Sequence, residues 1–341
     1  MEDKKKRTLL IINPISGTLS KDGLSERVRG RLEPSGFEIE SVTTTHAGHG
    51  AELAAKAVSE NYHAVIAAGG DGTVNEVASA LRSSDVAMGI LPFGSGNGLA
   101  RHLLSSIDVD HALDVIAKDS ALPCDYGTVN DIPFFCTFGL GFDAKVSSQF
   151  ASMQSRGLTS YIKSALTEYL TYSPTEYEIT TRTETGDHTM KVKAFIVVAC
   201  NASQYGNNAF IAPEASIRDG LLDIVVIHAG NPITRAIAGV ELFTGRLSSN
   251  MLIQTLRVSS ATIRHLPGPA HIDGDPRMMP QSLDIRCHPG DLMLFTDPDK
   301  PPFRPFLTPI ESLRDDSSYL IRENARHAMK NIKEKLEKFF L

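Results

Sequence analysis

Residues 64–76, Ala64-Val65-Ile66-Ala67-Ala68-Gly69-Gly70-Asp71-Gly72-Thr73-Val74-Asn75-Glu76, decide how the chain is read. Five small apolar residues, Ala64 to Ala68, predict a strand buried on both faces, and the glycines end it. Lacking Cβ atoms, Gly69, Gly70 and Gly72 are expected to take positive φ and to let a bulky anion approach their N–H groups. Thr73-Val74-Asn75-Glu76 fits a capping box, so a helix is expected to open at Thr73 with the positive end of its dipole at the loop. That combination suits phosphate. Taken alone, the stretch also suits a tight turn whose carboxylate only orders the loop.

Two further stretches repeat the pattern. Thr8 to Ile12 predicts a buried strand running into Asn13-Pro14-Ile15-Ser16-Gly17, and Met88 to Leu91 another running into Pro92-Phe93-Gly94-Ser95-Gly96-Asn97-Gly98. Ser95 is the natural N-cap of the helix that follows, with Gly96 and Asn97 presenting N–H groups beside it. Three such strand ends, each followed by helical sequence, predict the carboxyl edge of a parallel sheet, where α/β proteins bind ligands. Residues 94–98 imitate a dinucleotide fingerprint. No acidic residue ends a following strand at the usual distance, which discounts it.

The blocks at 13–17, 69–77 and 92–97, the last followed by Leu99-Ala100-Arg101, resemble the family of diacylglycerol kinases, sphingosine kinases and bacterial lipid kinases. Their order and spacing carry the resemblance, since a GGDG loop alone is shared with NAD kinases and phosphofructokinases. The resemblance implies a Rossmann-like, three-layer parallel α/β domain followed by a β-sandwich, with an ATP cleft between them. It places ATP on Asn13, Pro14, Ser16, Gly17, Gly69, Gly70, Asp71, Gly72, Thr73, Asn75, Ser95, Gly96 and Asn97. Thr44 joins them as the family's threonine four residues before Gly48.

Totals and texture bound the rest. A chain of 341 residues suggests two domains, and 42% hydrophobic with 22% charged residues is ordinary for a globular protein with a proper core. A formal charge of −6, without a basic stripe interleaved with aromatics, argues against nucleic acid. Cys124, Cys136, Cys200 and Cys287 show neither CxxC nor zinc spacing, which predicts buried or idle thiols in a reducing cytosol. No apolar run approaches the roughly 18 residues that cross a bilayer, so a cytoplasmic chain with peripheral membrane contact is expected.

Helices are expected at 21–32, 51–60, 160–169 and 232–246, with a strand at 37–43 before the second of them. From Cys124 the alternation gives way to strands at 125–129, 133–138, 176–183, 191–198, 222–227 and 256–264, and Thr185-Gly186-Asp187 is an expected hairpin turn. That shift divides the chain into an α/β domain at 1–123 and a β-rich domain at 124–300. Residues 312–341 read as a basic amphipathic helix, suited to packing back on the first domain within a tail at 301–341 or to lying on an anionic bilayer. An exposed strand edge in the second domain is where a homodimer would pair. His46 and His49 have no third ligand nearby and read as solvated loop histidines rather than a metal pair.

Phosphoryl transfer needs positioned phosphates, Mg²⁺ and a base for the attacking hydroxyl. Asp71 suits the Mg²⁺, directly or through water. His271-Ile272-Asp273-Gly274-Asp275-Pro276 corresponds to a family Asp-Gly-Glu whose third residue is commonly the proton acceptor. This carries over to Asp275, one methylene shorter; Asp273, or Asp71 as in sphingosine kinases, are the other candidates for the base. A solvated turn is the plain alternative. Residues 211–223 resemble a structural magnesium loop, implying ligands in the Ser216 and Leu221 carbonyls and the Asp219 side chain; read without the family, Asp219-Gly220 is a hairpin turn. Tyr205-Gly206-Asn207-Asn208 departs from the family's Tyr-Gly-Gly-Gly. The expected activity is ATP-dependent phosphorylation of a lipid hydroxyl, diacylglycerol or sphingoid in type. The alternatives are a kinase of a soluble acceptor such as NAD and a nucleotide-binding regulator without catalysis.

Overall fold

The computed structural model describes residues 5–17, 19–152, 172–183 and 186–340. Its first part is a parallel sheet in the order β2 (Phe37–Thr43), β1 (Lys6–Ile12), β3 (Ala64–Gly69) and β4 (Ala87–Pro92). Between and after these strands come α1 (Leu24–Leu32), α2 (His49–Ser59), α3 (Asp71–Leu81), α4 (Gly98–Leu104) and α5 (Val109–Ala117). Every residue of β3 and β4 is buried, because helices cover the sheet and the strands answer with continuous apolar runs. The register Ile12↔Ala68 and Gly69↔Pro92 brings the ends of β1, β3 and β4 to one edge.

The second part is antiparallel: β5 (Ala121–Val129), β6 (Ile132–Phe134), β7 (Thr137–Gly141), β8 (Thr175–Thr183), β9 (Gly186–Cys200), β10 (Leu222–His228), β11 (Ile253–Val258), β12 (Ser260–Arg264), β13 (Gly268–Ile272), β14 (Asp275–Met279) and β15 (Ser282–Phe295). Two helices join it, α6 (Phe142–Ser152) and α7 (Pro232–Thr244). Inward residues such as Phe134, Phe138, Ile179, Ile224 and Leu283 form a core of its own, as a β-sandwich requires. β15 links the two parts: it pairs antiparallel with β5 and β12, and its far end touches β4 in parallel at Leu294↔Met88.

Several boundaries differ from the sequence reading. The expected strand at 133–138 is two strands, β6 and β7, and that at 256–264 divides into β11 and β12. β13, β14 and the long β15, which contain Pro269, Pro276 and Pro289, add to the expected strands; β14 is the sheet's terminal strand, where a missing N–H costs no ladder bond. α1 opens at Leu24 rather than at 21, and α2 at His49 rather than at 51. α7 ends two residues early, at Gly245 with φ 71°, where a Cβ would lie 2.3 Å from the Phe303 ring. Gly186 and Asp187 already belong to β9, while Thr185 and the expected helix at 160–169 lie outside the described residues.

The last helix, α8 (Leu307–Phe340), begins five residues before the expected start and lies on the α/β part. Arg27 donates to Glu323, Arg322 to Asp108, and Arg101 to Asp316 at 2.6 Å. The last pair is buried, Arg101 being 6% and Asp316 7% exposed. Asp316→Ala would strand that guanidinium, and is expected to lower unfolding free energy by about 3 kcal/mol in denaturant titrations. Arg101→Met/Asp316→Leu should recover part of the loss; equal stability of the single variant and the parent would show the pair is not desolvated.

Candidate active site

The three strand-end loops are tied to each other by their own side chains. Asn13 donates from Nδ2 to Thr73 Oγ1 at 2.9 Å, and its Oδ1 accepts from Ile15 N, joining the first loop to the second. Asp71 joins the second to the third: its carboxylate accepts from Asn97 N at 2.9 Å and Gly98 N at 2.7 Å. Thr44 donates its N–H to Ile12 O beside them, and Ser16 Oγ donates to Asn13 O. Lys21 was not singled out from sequence. It stands in the turn before α1, donates to the Ser16 carbonyl and sits 4.9 Å from the Phe93 ring.

Local chemistry differs from the expected caps. α3 opens at Asp71, with Gly70 as N-cap, rather than at Thr73. Glu76 does not close a capping box; it reaches across to accept the N–H groups of Gly48 and Gly50, and so caps α2. Ser95 is not the cap of α4 either. Asn97, at φ 53°, takes the N-cap position, and its own side chain is engaged with Gly94 through N and O. Asp71 therefore supplies the carboxylate at the start of α4.

Gly69, Gly70 and Gly94 are required for a different reason from the one expected, while the Cβ position of Gly72 is open. Gly69, Gly70 and Gly72 do not have positive φ. A Cβ on Gly69 would lie 2.5 Å from the Thr73 side chain, and one on Gly94 would lie 2.5 Å from Gly70 Cα, so two backbones pass where no side chain fits. Gly17 carries both constraints, with φ 62° and a Cβ position 1.7 Å from Phe93 O. Gly17→Ala is expected to destabilise the fold by at least about 2 kcal/mol and to raise the apparent KM for nucleotide, both readable by melting and kinetics. A fully active, unshifted variant would exclude this packing of the first loop on the third.

The antiparallel part closes over this edge. Gly206, at φ 105°, packs on Gly96, and Asn207 N donates to Gly96 O at 3.1 Å, so the Asn207 substitution in the family's glycine run preserves a left-handed turn. Asp273 and Gly274, with φ 49° and 90°, are the two central residues of the hairpin between β13 and β14, closed by the pair Ile272↔Asp275. The Asp273 carboxylate accepts four hydrogen bonds, from Phe135, Cys136 and Thr137 N–H groups and from Asn75 Nδ2, at 2.8–2.9 Å. It binds the hairpin to α3. Asp275, first residue of β14, stays exposed.

Burial pushes the Asp71 carboxyl up to about 6, Asp273 adding to the rise while the Asn97 and Gly98 N–H groups oppose it. Behind the hairpin lies a cluster that spacing did not reveal. His271 Nε2 is 3.1 Å from Asp143 Oδ2, Tyr205 donates its hydroxyl to the same oxygen at 2.8 Å, and His271 Nδ1 faces Gly274 N at 3.4 Å. Asp143 and His271 are 4% and 1% exposed. The first turn of α6, the strand β13 and the loop at Tyr205 bring them together, which no local sequence signal encodes.

The loop at 216–221 stands apart from this centre. Asp125, buried, accepts Gly220 N at 2.7 Å and Gly290 N at 2.8 Å, while Asp219 accepts Leu221 N and lies 3.7 Å from Arg257. Among the described residues no backbone N–H outside the helices and strands donates to the Ser216 or Leu221 carbonyl, which leaves two hard oxygens in the same loop as the Asp219 carboxylate. That donor chemistry fits a Mg²⁺ ion. Elsewhere no three His, Cys, Asp or Glu side chains gather among the described residues.

Glycine-tight loops on a parallel sheet edge, closed by a β-sandwich that carries acidic residues into the same cleft, define a nucleotide-dependent phosphotransferase. Residues 7–129 match the model of the diacylglycerol kinase catalytic domain, and residues 137–296 that of the YegS C-terminal NAD kinase beta sandwich-like domain. A YegS-like lipid kinase of Pectobacterium atrosepticum is 31% identical over 74% of this chain and 84% of its own length. The diacylglycerol kinase of Bacillus subtilis is 31% identical over 66% of this chain and 75% of its own. A crystal structure of a diacylglycerol kinase from Bacillus anthracis shares the fold with a TM-score of 0.69 at 20% identity, over 87% of this chain and 99% of that one. The chain belongs to the diacylglycerol kinase catalytic-domain family of lipid kinases. It is a kinase with ATP as co-substrate. Among the described residues no helix is long and apolar enough to cross a membrane.

Proposed function

We propose that the chain transfers the γ-phosphoryl group of ATP to a hydroxyl of a membrane lipid, diacylglycerol or sphingoid in type. One observation carries this reading: Asp71 and Asp273 lock the phosphate-side loops and the Asp-Gly-Asp hairpin into a single cleft, with Asp275 exposed at its rim. ATP lies across the loops at 13–17, 69–75 and 94–97, beside Thr44. Asp71 would hold Mg²⁺ there, and the bound ion would supply charge neutralisation at the phosphates. The acceptor oxygen bonds to the γ-phosphorus as the bond to the bridging oxygen of ADP breaks, and the hydroxyl proton goes to Asp275.

The four donors on Asp273 explain the choice of base: its lone pairs are spent in holding the hairpin, so it serves as a positioning residue. His271 and Asp143 support the same hairpin from behind. The Ser216 and Leu221 carbonyls and the Asp219 side chain would hold a second, structural Mg²⁺ in the loop before β10.

The test is transfer of labelled γ-phosphate from Mg·ATP to a panel of lipids in mixed micelles, with NAD as a soluble acceptor and products separated by chromatography. A labelled lipid is expected, and identifies the acceptor. NAD is the second reading, favoured by the NAD kinase-like description of the sandwich model. Label on NAD alone, or ATP bound without product, overturns the lipid reading in favour of the soluble kinase or the silent regulator.

A further inference from the structure

We infer that the cavity between α4, the loop at 203–215 and the segment leading into α8 is an effector site for a phosphate monoester of a ring-bearing small molecule. The site is separate from the ATP cleft and coupled to it through the third loop. The cavity measures about 490 Å³, the size of a small-molecule site, and none of the residues read as holding ATP lines it. Its walls come from elements distant in sequence. α4 contributes Arg101, the loop contributes Asn208 and Phe210, and the segment between β15 and α8 contributes Lys300 and Phe303.

Three donors on these walls are not spent within the protein. Arg101 gives Nε to Gly96 O and Nη1 to Asn208 Oδ1, Ser312 Oγ and Asp316 Oδ2, which leaves Nη2 without an acceptor among the described residues. Asn208 is 2% exposed; its Oδ1 is taken by Arg101 and Ser312, while its Nδ2 has no partner. A buried N–H left unpaired is costly, and an acceptor on a ligand removes that cost. Lys300 Nζ donates to His102 O and pairs with no carboxylate among the described residues. Burial brings this ammonium down to about 8, with Asp297 opposing, so an anion beside it is favoured. His102 adds no charge, because burial and Lys300 push it well below its ordinary value. Asp316 already balances Arg101, and Glu214, the one carboxylate among the described residues of the wall, is exposed. The ammonium is therefore the uncompensated charge, and the guanidinium and amide supply directed donors. Three donors from three elements suit the three terminal oxygens of a phosphate monoester. The ring has its own place: Phe210 and Phe303 stand 4.9 Å apart between centroids at 52°, with prolines of the same segment beside them.

The link to the cleft runs through one carbonyl. Gly96 O accepts from Arg101 Nε and from Asn207 N, both at 3.1 Å. The residues that grip the phosphate thus also hold the third loop, or adjoin the residue that does. Occupancy fixes Arg101 and the turn at Asn207-Asn208 and tightens ATP binding, and linkage requires ATP to tighten the effector by the same factor.

The test is calorimetric titration of phenyl phosphate into the full chain, its ATP cleft first saturated with Mg²⁺ and a non-hydrolysable ATP analogue, so that neither turnover nor the acceptor enters. One site per chain is expected. Inorganic phosphate should bind at least about ten-fold less well, since it leaves the rings bare. Lys300→Gln keeps a donor for His102 O but removes the charge, and is expected to weaken phenyl phosphate at least about ten-fold. Ser248→Trp, at an exposed position of the wall, fills the cavity and should abolish the heat while the analogue still binds; it decides the matter where Lys300→Gln melts early. In the parent, phenyl phosphate should lower the Kd of the analogue at least about five-fold. The proposal is overturned by absence of binding beside the filled cleft, or by binding that Ser248→Trp leaves unchanged. Inorganic phosphate that binds as tightly as the ester overturns it too, as does an analogue Kd that does not respond.

Discussion

Asp71→Asn is expected to lower phosphoryl transfer by at least about 10²-fold, because it removes the carboxylate that closes the third loop and that we propose as the Mg²⁺ ligand. Each Asp71 oxygen accepts one backbone N–H, from Asn97 and from Gly98. An amide has a single acceptor, so its NH₂ would face one of those donors and the loop would shift. The sign of the pH dependence follows from burial, which raises this carboxyl to about 6 from an ordinary 3.8. The folded chain then holds a proton that the unfolded chain has released, so the stability from this group is full below about 3.8 and falls as pH rises to 6, by up to about 3 kcal/mol. Activity should run the opposite way: in the proposed role the ionised form would hold the metal, so turnover should rise through about pH 6 at limiting Mg²⁺. Stability curves of parent and variant that coincide between pH 4 and 7, or a variant with nearly full turnover, would remove Asp71 from the centre.

The second large effect is expected at the hairpin, where neighbouring aspartates should separate by kind of damage. Asp275→Asn should cut kcat at least about 10²-fold with little change in KM for ATP or in melting temperature, since Asp275 is exposed and its backbone stays in β14. Asp275→Glu, which restores the family's residue, should retain activity. Asp273→Asn should instead lose stability, by about 3 kcal/mol, because at least one of its four donors then meets an NH₂ group. If Asp273→Asn melts like the parent yet is inactive, the base is Asp273, and the proton-transfer assignment moves to it.

Much of this architecture is legible in the chain itself, and the reason is local. Continuous apolar runs ending in glycine specify buried parallel strands with loops at one edge, and those runs lie at 8–12, 64–68 and 88–91 without any help from distant residues. Three motifs in fixed order along the first 100 residues suffice to place the family. The strands with proline in them, β13 to β15, were not legible, because whether a proline breaks a strand depends on whether its N–H would have had a partner, and that is a property of the sheet.

What only tertiary structure decided is the use to which each side chain is put. Glu76 and Ser95 obey capping rules in sequence and break them in space, since Glu76 finds the N–H groups of α2 and the place of Ser95 is taken by Asn97 and Asp71. Asp273 and Asp275 look equivalent in a string; the left-handed turn sends one carboxylate into four N–H donors and leaves the other at the surface. The glycines of the central loop were predicted for their φ, yet Gly69 is needed because a Cβ would meet the Thr73 side chain, and Gly70 because Gly94 Cα, in a loop some 25 residues away, stands 3.1 Å from its Cβ position. Sequence determines which segments are apolar, where the chain bends and which family it joins, for those follow from periodicity and local sterics. The site is made of contacts between residues as far apart as Asn75 and Asp273, and such contacts exist only once hydrophobic burial has brought the two sheets together.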